Sequence, residues 1–361
     1  MAEKIRVAIL GQGRSGRDIH GACLSKHEKY ELAAIADVDE YRRARAKAEY
    51  GCETVEDYRV FLERNDIDLI VNALPSHFHV PVTLEFLRKG KSVLCEKPAA
   101  ATAAEVDNLL LTAKSTNAGL YFFQNSRFAN WFTQTREVLA SGVLGRIVEI
   151  KLRYSSFGRR WDWQTLQCNN GGSLRNTGPH PMDQAVVLMN NPAMPEIFCH
   201  FDRVNTWGDA EDFVKVIMRV PRGPVVDLEI SSCDCFPGPT LSIQAQYGSL
   251  RADRGSVTWR YFNPKTAPPQ KLTRTPIEKP DGTPSYCVEK LEWTEKTAGA
   301  EDGAPAIGAQ PPDAPTETLY SKLYAHIKEG AEYEITGEQV RQQIAIMEKC
   351  HQMYPLTRLT E

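Results

Sequence analysis

The sequence has no excess of charge of one sign. Its 43 Lys and Arg stand against 46 Asp and Glu, a formal charge of -3, so no overall basic field exists to hold a polyanion, and nucleic acid is not expected as a partner. It also lacks a run of about 18 apolar residues, which removes a membrane-spanning helix from the expectations. The start, Met1 to Arg6, passes straight into Val7 to Leu10 and then glycines, without the apolar stretch and small-residue cleavage site of a secretory signal. The nine cysteines are odd in number and spread from Cys23 to Cys350, and a chain this long needs no disulfide framework. Reduced thiols and a cytoplasmic location are expected. Metal ligands are scarce as well. His77 with His79, and Cys233 with Cys235, are pairs without a second pair at a familiar spacing, whereas zinc needs three or four ligands. No metal is expected.

What remains is an ordinary globular composition, 42% hydrophobic and 25% charged over 361 residues, enough for two cores at roughly 100 to 200 residues per domain. The first third alternates short apolar runs with helical patterns. Ile5 to Leu10, Leu32 to Ala36, Ile67 to Ala73, Ser92 to Cys95 and Leu120 to Phe123 are nearly free of charge, as strands buried on both faces should be. Asp39 can cap a helix that stops before Gly51, and Pro81 can open one that stops before Gly90. Thr102 and Glu105 form a capping box ahead of a third. Strand and helix in alternation require right-handed crossovers, which gives a doubly wound α/β parallel sheet over residues 1–124.

From about residue 125 to 361 the pattern is α+β, with a mainly antiparallel open sheet. Val148, Ile150, Leu152 and Tyr154 alternate with Glu149, Lys151 and Arg153, and Val225 to Ile230 and Leu241 to Tyr247 alternate likewise, so one face of this sheet should be solvated. Gly248-Ser249 reads as the turn between two strands. The tract from Asn263 to Pro315 holds 10 of the 22 prolines, too many for regular structure, and is expected to be a long surface excursion. Helices resume over Glu317 to Glu329 and, behind the capping pair Thr336 and Gln339, over Val340 to Met353. No internal repeat is visible.

Three constellations carry chemistry. Gly11-Gln12-Gly13-Arg14-Ser15-Gly16 is a GxGxxG loop directly after the first strand, where the glycines permit a tight turn, close backbone approach to a pyrophosphate and close helix packing. Asp37 ends the second strand 21 residues after Gly16, positioned to bind both hydroxyls of an adenosine ribose and to repel a 2′-phosphate. A plain glycine turn with a helix-capping aspartate is the competing reading, and the order of strand, loop and acid favours NAD. Arg42 and Arg43 nearby moderate that preference over NADP. Glu96-Lys97-Pro98 follows the fourth expected strand at the sheet's carboxyl end, where Lys97 could stabilise a developing alkoxide and Glu96 could hold the lysine or the cofactor. By composition alone this pair is merely solvated. Asn176, His180 and Asp183, at i, i+4 and i+7, would share one face of a helix beginning near them. A histidine so presented can take a hydroxyl proton, although a lone histidine is more often a satisfied structural residue.

In this order, with the Pro75-Ser76-His77-Phe78-His79 loop and the Gly90-to-Pro98 and Gly171-to-Asp183 segments, the chain resembles the Gfo/Idh/MocA oxidoreductases over nearly its whole length. The resemblance implies that Lys97 and His180 are the catalytic pair acting on a sugar or cyclitol hydroxyl. Leu74, Pro75 and His79 would lie against the cofactor, and Gln124 and Asn125 would sit near the nicotinamide side. It implies that Arg160, Trp161 and Trp163 face the substrate together with Asn176 and Asp183. An oligomer contact is the equal alternative for the tryptophan stretch. Asn176 stands where inositol-dehydrogenase-like members have an aspartate; an amide cannot carry charge, which leaves proton transfer to His180 with Lys97 as helper. A homodimer or homotetramer through the second-domain sheet is also implied. Two other functions fit the same motifs. One is a glycoside-cleaving enzyme with tightly bound NAD that acts through a transient 3-keto sugar. The other is a catalytically silent, cofactor-binding regulatory protein.

Overall fold

The computed structural model describes residues 3–298 and 314–358. Six parallel strands, β1 (Ile5–Leu10), β2 (Tyr30–Ala36), β3 (Glu53–Val55), β4 (Leu69–Asn72), β5 (Ser92–Cys95) and β6 (Leu120–Phe122), lie in the order β3-β2-β1-β4-β5-β6. Alternation within each strand supplies two cores, one on each face. Ile5, Val7, Ile9 and Val71 pack into one cluster, and Ala8, Leu10, Ile70 and Val93 into the other. Full burial of such side chains is worth about 1.5 to 3 kcal/mol each. β3 lacks an apolar run and was not expected; it pairs with β2 through Ala34 to Ala36.

The crossover elements begin and end where their caps dictate. A π-helical stretch, Ser15–Gly21, continues into α1 (Ala22–Leu24). α2 (Glu40–Tyr50) is capped by the Asp39 side chain on the Arg42 amide and closed by Gly51 at φ 67. α3 (His79–Arg88) starts two residues earlier than Pro81 suggested, since a proline is tolerated within the first turn. α4 (Ala103–Thr116) carries the full Thr102–Glu105 capping box.

After α5 (Asn130–Ala140), the chain builds an eight-stranded sheet. It comprises β7 (Ile147–Ser155), β8 (Glu196–Asp202), β9 (Phe213–Arg219), β10 (Val225–Ser231), β11 (Leu241–Ala245), β12 (Gly248–Asp253), β13 (Ser256–Phe262) and β16 (Trp293–Thr297). The order is β16-β13-β12-β11-β7-β10-β9-β8, and only β7 and β10 run parallel. Its inner face presents Ile150, Leu152, Val214, Val216, Val226, Leu228 and Ile243 to the core. On its outer face Lys215 bridges Asp227 (2.6 Å) and Glu229 (3.2 Å).

Three expectations change here. Gly248 and Ser249 are the first residues of β12, paired with Tyr261 and Arg260, so the turn precedes them. A Cβ on Gly248 would collide with the Arg260 carbonyl, so this glycine serves close strand approach rather than turning. The proline-rich tract also contains regular structure: β14 (Ile277–Glu278) and β15 (Pro284–Ser285) form a small hairpin, and β16 adds an edge strand to β13. Among the described residues before 299, Pro284 lies in β15 of the small hairpin and the other prolines fall between the pairings, where no amide is needed. Residues 299–313 of that tract lie outside the described residues. Finally, Asn176 and His180 do not share a helix. Asn176 ends α6 (Ser173–Asn176), and α7 (Pro179–Met189) starts afresh after Gly178.

The last two helices, α8 (Ala314–Glu329) and α9 (Gly337–Met353), return to the first sheet. Tyr30 donates to the Tyr320 carbonyl (2.8 Å), Arg341 pairs with Asp107 (2.6 Å), and the buried apolar residues of both regions form one continuous cluster. Among the described residues no helix is long and apolar enough to cross a membrane.

Candidate active site

The glycine loop is shaped for a phosphate. Gly11 sits at φ 89 with Ala73 O 2.9 Å from where a Cβ would stand, and a Cβ on Gly16 would run into the Gly11 carbonyl. Gly13 has nothing within 4 Å of its Cβ position, so its backbone is open to an approaching group. Asp37 is buried and accepts from the amides of Gln12 (2.6 Å, Oδ2) and Asp39 (2.9 Å, Oδ1), with Arg42 Nη1 at 3.6 Å. Each carboxylate oxygen keeps a lone pair for a ribose hydroxyl. Among the described residues, Gln12 Oε1 and Gln124 Oε1 are buried acceptors without a hydrogen-bond partner. An open backbone turn, an acid at the end of β2 and two orphaned acceptors fit a dinucleotide.

The loop after β5 holds Lys97. Lys97 is half-buried at the carboxyl end of the sheet, and its Nζ donates to the Asn176 carbonyl (3.1 Å). Burial lowers its pKa, and Arg14 and Arg160 push the same way, against the opposing charge of Glu96. Asn176 therefore holds the lysine through its backbone, a contact open to any residue at that position. Glu96 is buried; it accepts from Ser15, from the Lys97 amide (2.8 Å) and from His20 Nε2 (3.2 Å), while His20 Nδ1 meets Tyr320 Oη (2.7 Å). Burial alone would raise Glu96, but the His20 contact and the neighbouring cations bring it well below the usual carboxylate range. It is an anion.

His180, in the first turn of α7, places Nδ1 2.9 Å from Ser126 Oγ, and a neutral ring leaves Nε2 for substrate. Burial, and then the Lys97 charge, push its pKa down to about 3, so the ring is neutral at physiological pH. Asp183, on the same helix, is buried against Arg127, which also donates to the Glu334 carbonyl and to Gln339 Oε1 (both 2.7 Å). Its carboxylate is thus occupied by the protein. His79 is buried with its ring nitrogens facing the carbonyls of Pro98 (2.7 Å) and Leu74 (2.9 Å), so it fastens the Leu74-Pro75 loop to the Lys97 loop. Leu74 and Pro75 keep partly open surfaces. Gln124 donates to Gln343 (2.7 Å), Asn125 to Thr316 (3.2 Å). Arg160 pairs with Asp162 (2.8 Å) and Gln164; Trp161 and Trp163 are exposed at 77% and 43%.

Residues 5–123 match the "Oxidoreductase family, NAD-binding Rossmann fold", and residues 132–251 match the "GFO/IDH/MocA C-terminal domain". The chain belongs to the Gfo/Idh/MocA oxidoreductase family. Within it, the uncharacterized oxidoreductase YdgJ of Escherichia coli (strain K12) is 28% identical over 230 residues, 63% of this chain and 65% of that protein. The dTDP-3,4-didehydro-2,6-dideoxy-alpha-D-glucose 3-reductase of Streptomyces violaceoruber is 31% identical over 255 residues, 67% of this chain and 68% of that protein. The chain thus spans just under two thirds of the length of the first curated relatives it matches. The solved structure of the putative oxidoreductase yvaA from Bacillus subtilis superposes with a TM-score of 0.78 at 19% identity and covers all of both chains, which shows the shared fold.

Several members of this Gfo/Idh/MocA site were not singled out in the sequence. Ser126 follows directly after Gln124 and Asn125 and could have been included by proximity. His20 and Tyr320 meet across 300 residues, and nothing local announces that contact. Arg127 reads as one more surface arginine until its guanidinium is found buried against Asp183.

Proposed function

We propose that the chain is an NAD-dependent oxidoreductase that moves hydride between nicotinamide and a secondary hydroxyl of a sugar, cyclitol or glycoside. The observation that carries this reading is the pair of half-buried groups, a lysine ammonium and a neutral imidazole on which its charge acts, joined to the glycine loop through Glu96 and Ser15. Bound nicotinamide supplies the hydride acceptor. His180 Nε2 accepts the hydroxyl proton, and Ser126 at Nδ1 fixes the ring's orientation. Lys97 donates to the same oxygen and stabilises its developing negative charge, while Glu96 and the Asn176 carbonyl hold the lysine in place. Asp37 favours NAD by repelling a 2′-phosphate. The sugar reductase among the relatives supports the substrate class. Exposed Phe198 and Val225, which alternate with buried Cys199 and Val226 on the second sheet, support a homodimer or homotetramer through its outer face.

A spectrophotometric screen of polyols, cyclitols and glycosides with NAD and NADP tests the reading. Lys97→Met should abolish hydride transfer, by at least about a hundredfold in kcat, and leave NAD binding intact. Retained turnover would sink the assignment. Product release without net NADH would point instead to glycoside cleavage.

A further inference from the structure

An open groove of about 650 Å³ is lined by Arg159, Arg203, Asn205, Thr206 and Trp207, and Arg159 is the chain neighbour of Arg160, whose charge acts on Lys97. It is a built feature. Buried Asp212 accepts from three successive amides of its wall, Val204 (2.8 Å), Asn205 (2.7 Å) and Thr206 (2.7 Å). Thr165 Oγ1 donates to the Trp207 carbonyl (2.6 Å), and Gly208, at φ 148, packs so tightly on Thr165 that a Cβ would not fit. These bonds hold Trp207 on the rim with 73% of its surface exposed.

The two cations are not neutralised. Arg203 makes one side-chain hydrogen bond, to the Gly208 carbonyl (3.1 Å), and Arg159 makes neither a hydrogen bond nor an ion pair among the described residues. Arg160, by contrast, is committed to Asp162 and Gln164. Adjacent residues of one extended stretch therefore serve two places. Arg160 bears electrostatically on Lys97, whereas Arg159 lines the cavity, and the Arg160 carbonyl accepts from the Trp207 amide (2.8 Å). Three residues beyond this wall, Glu211 accepts from the Ser173 and Leu174 amides (2.8 and 2.9 Å) at the start of α6, the helix that ends at Asn176.

We propose that this cavity is a subsite for an oxyanion carried by the substrate, so that the preferred substrate is a sugar or cyclitol bearing a phosphate or carboxylate group. Two guanidinium forks without a carboxylate partner among the described residues match such an oxyanion in shape and charge. The indole of Trp207 offers a flat face to a ring, and the volume suits a substituent the size of a monosaccharide. This inference rests on the oxidoreductase reading, since it extends the same substrate.

The test compares neutral and anionic partners with NAD: glucose against glucose 6-phosphate and glucuronate, galactose against galacturonate, and myo-inositol against inositol 1-phosphate. At least one anionic partner should exceed its neutral counterpart in kcat/KM by about tenfold or more, as expected for charge-assisted hydrogen bonds. That ratio should collapse in R159Q/R203Q and be retained only in part in R159K/R203K, which keeps the charge without the fork, with thermal melts and NAD titration checking that each variant folds. Phosphates preferred over uronates, or the reverse, identify the oxyanion. Calorimetric binding of the same anions to the NAD-saturated protein, at low and high salt, separates the two readings. If no sugar reduces NAD but an anion binds saturably and loses affinity in R159Q/R203Q, the oxidoreductase reading fails and the subsite stands. If neutral and anionic partners turn over alike, or no anion binds, the subsite is overturned.

Discussion

At His180 burial and a neighbouring cation act in the same direction, and the ring is neutral down to a pKa of about 3. In the unfolded chain the same ring takes a proton near 6.5. The unfolded state therefore binds more protons between these values, and this residue's contribution to stability is complete above about pH 6.5 and lost as pH falls toward 3. His180→Asn should flatten the melting temperature against pH across that window. The kcat/KM for oxidation should likewise show no acid limb near 6.5; such a limb would mean a solvated imidazole. Asp37 bears on selectivity rather than protons. Asp37→Ser removes the charge that opposes a 2′-phosphate and leaves Arg42 beside it with Asp39 (3.7 Å) as its remaining ion pair, so the ratio of NADP to NAD in kcat/KM should rise by about tenfold or more. An unchanged ratio would show that the acid does not face the ribose. Lys97, His180 and Asp37 could be picked out because motif and position define them. Ser126 offered only its proximity to Gln124 and Asn125, and His20 offered nothing, because its partners come from other elements.

Among the elements, the glycine loop has the narrowest tolerance. Gly16→Ala places a methyl group on the Gly11 carbonyl, so the loop must open and the following helix must move. NAD affinity measured by fluorescence titration should fall at least about tenfold, while Gly13→Ala, whose Cβ meets nothing, should fold normally. The elements read correctly from the sequence were those with local signals: buried apolar β1 and β5, Asp39 and Gly51 at the ends of α2, and the capping boxes of α4 and α9. β3 and β16 escaped notice for one physical reason. Each is an edge strand with no fully buried residue, so neither carries the apolar run or alternation that burial imposes. The α6–α7 break at Gly178 was missed because helix periodicity continues across it, although a Cβ there would strike the Leu174 carbonyl.

The whole molecule is joined by polar contacts that span its length. Arg127 and Asp183 form an ion pair with almost no exposed surface, and Arg127 also reaches Glu334 and Gln339 near α9. Asp183→Asn leaves that guanidinium buried without its counter-charge, and unfolding free energy should drop by about 3 to 5 kcal/mol, read as a lower denaturant midpoint. An unchanged midpoint would mean that the pair is dispensable. The contact between Tyr320 and His20 has a further consequence, for synthesis. Glu96, which holds Lys97 and touches the glycine loop, is backed by His20, and His20 is backed by a side chain made 300 residues later. A ribosome that has finished all six strands of the first sheet has still not finished the cofactor site. The nascent chain should gain its full affinity for the dinucleotide only when α8 has emerged.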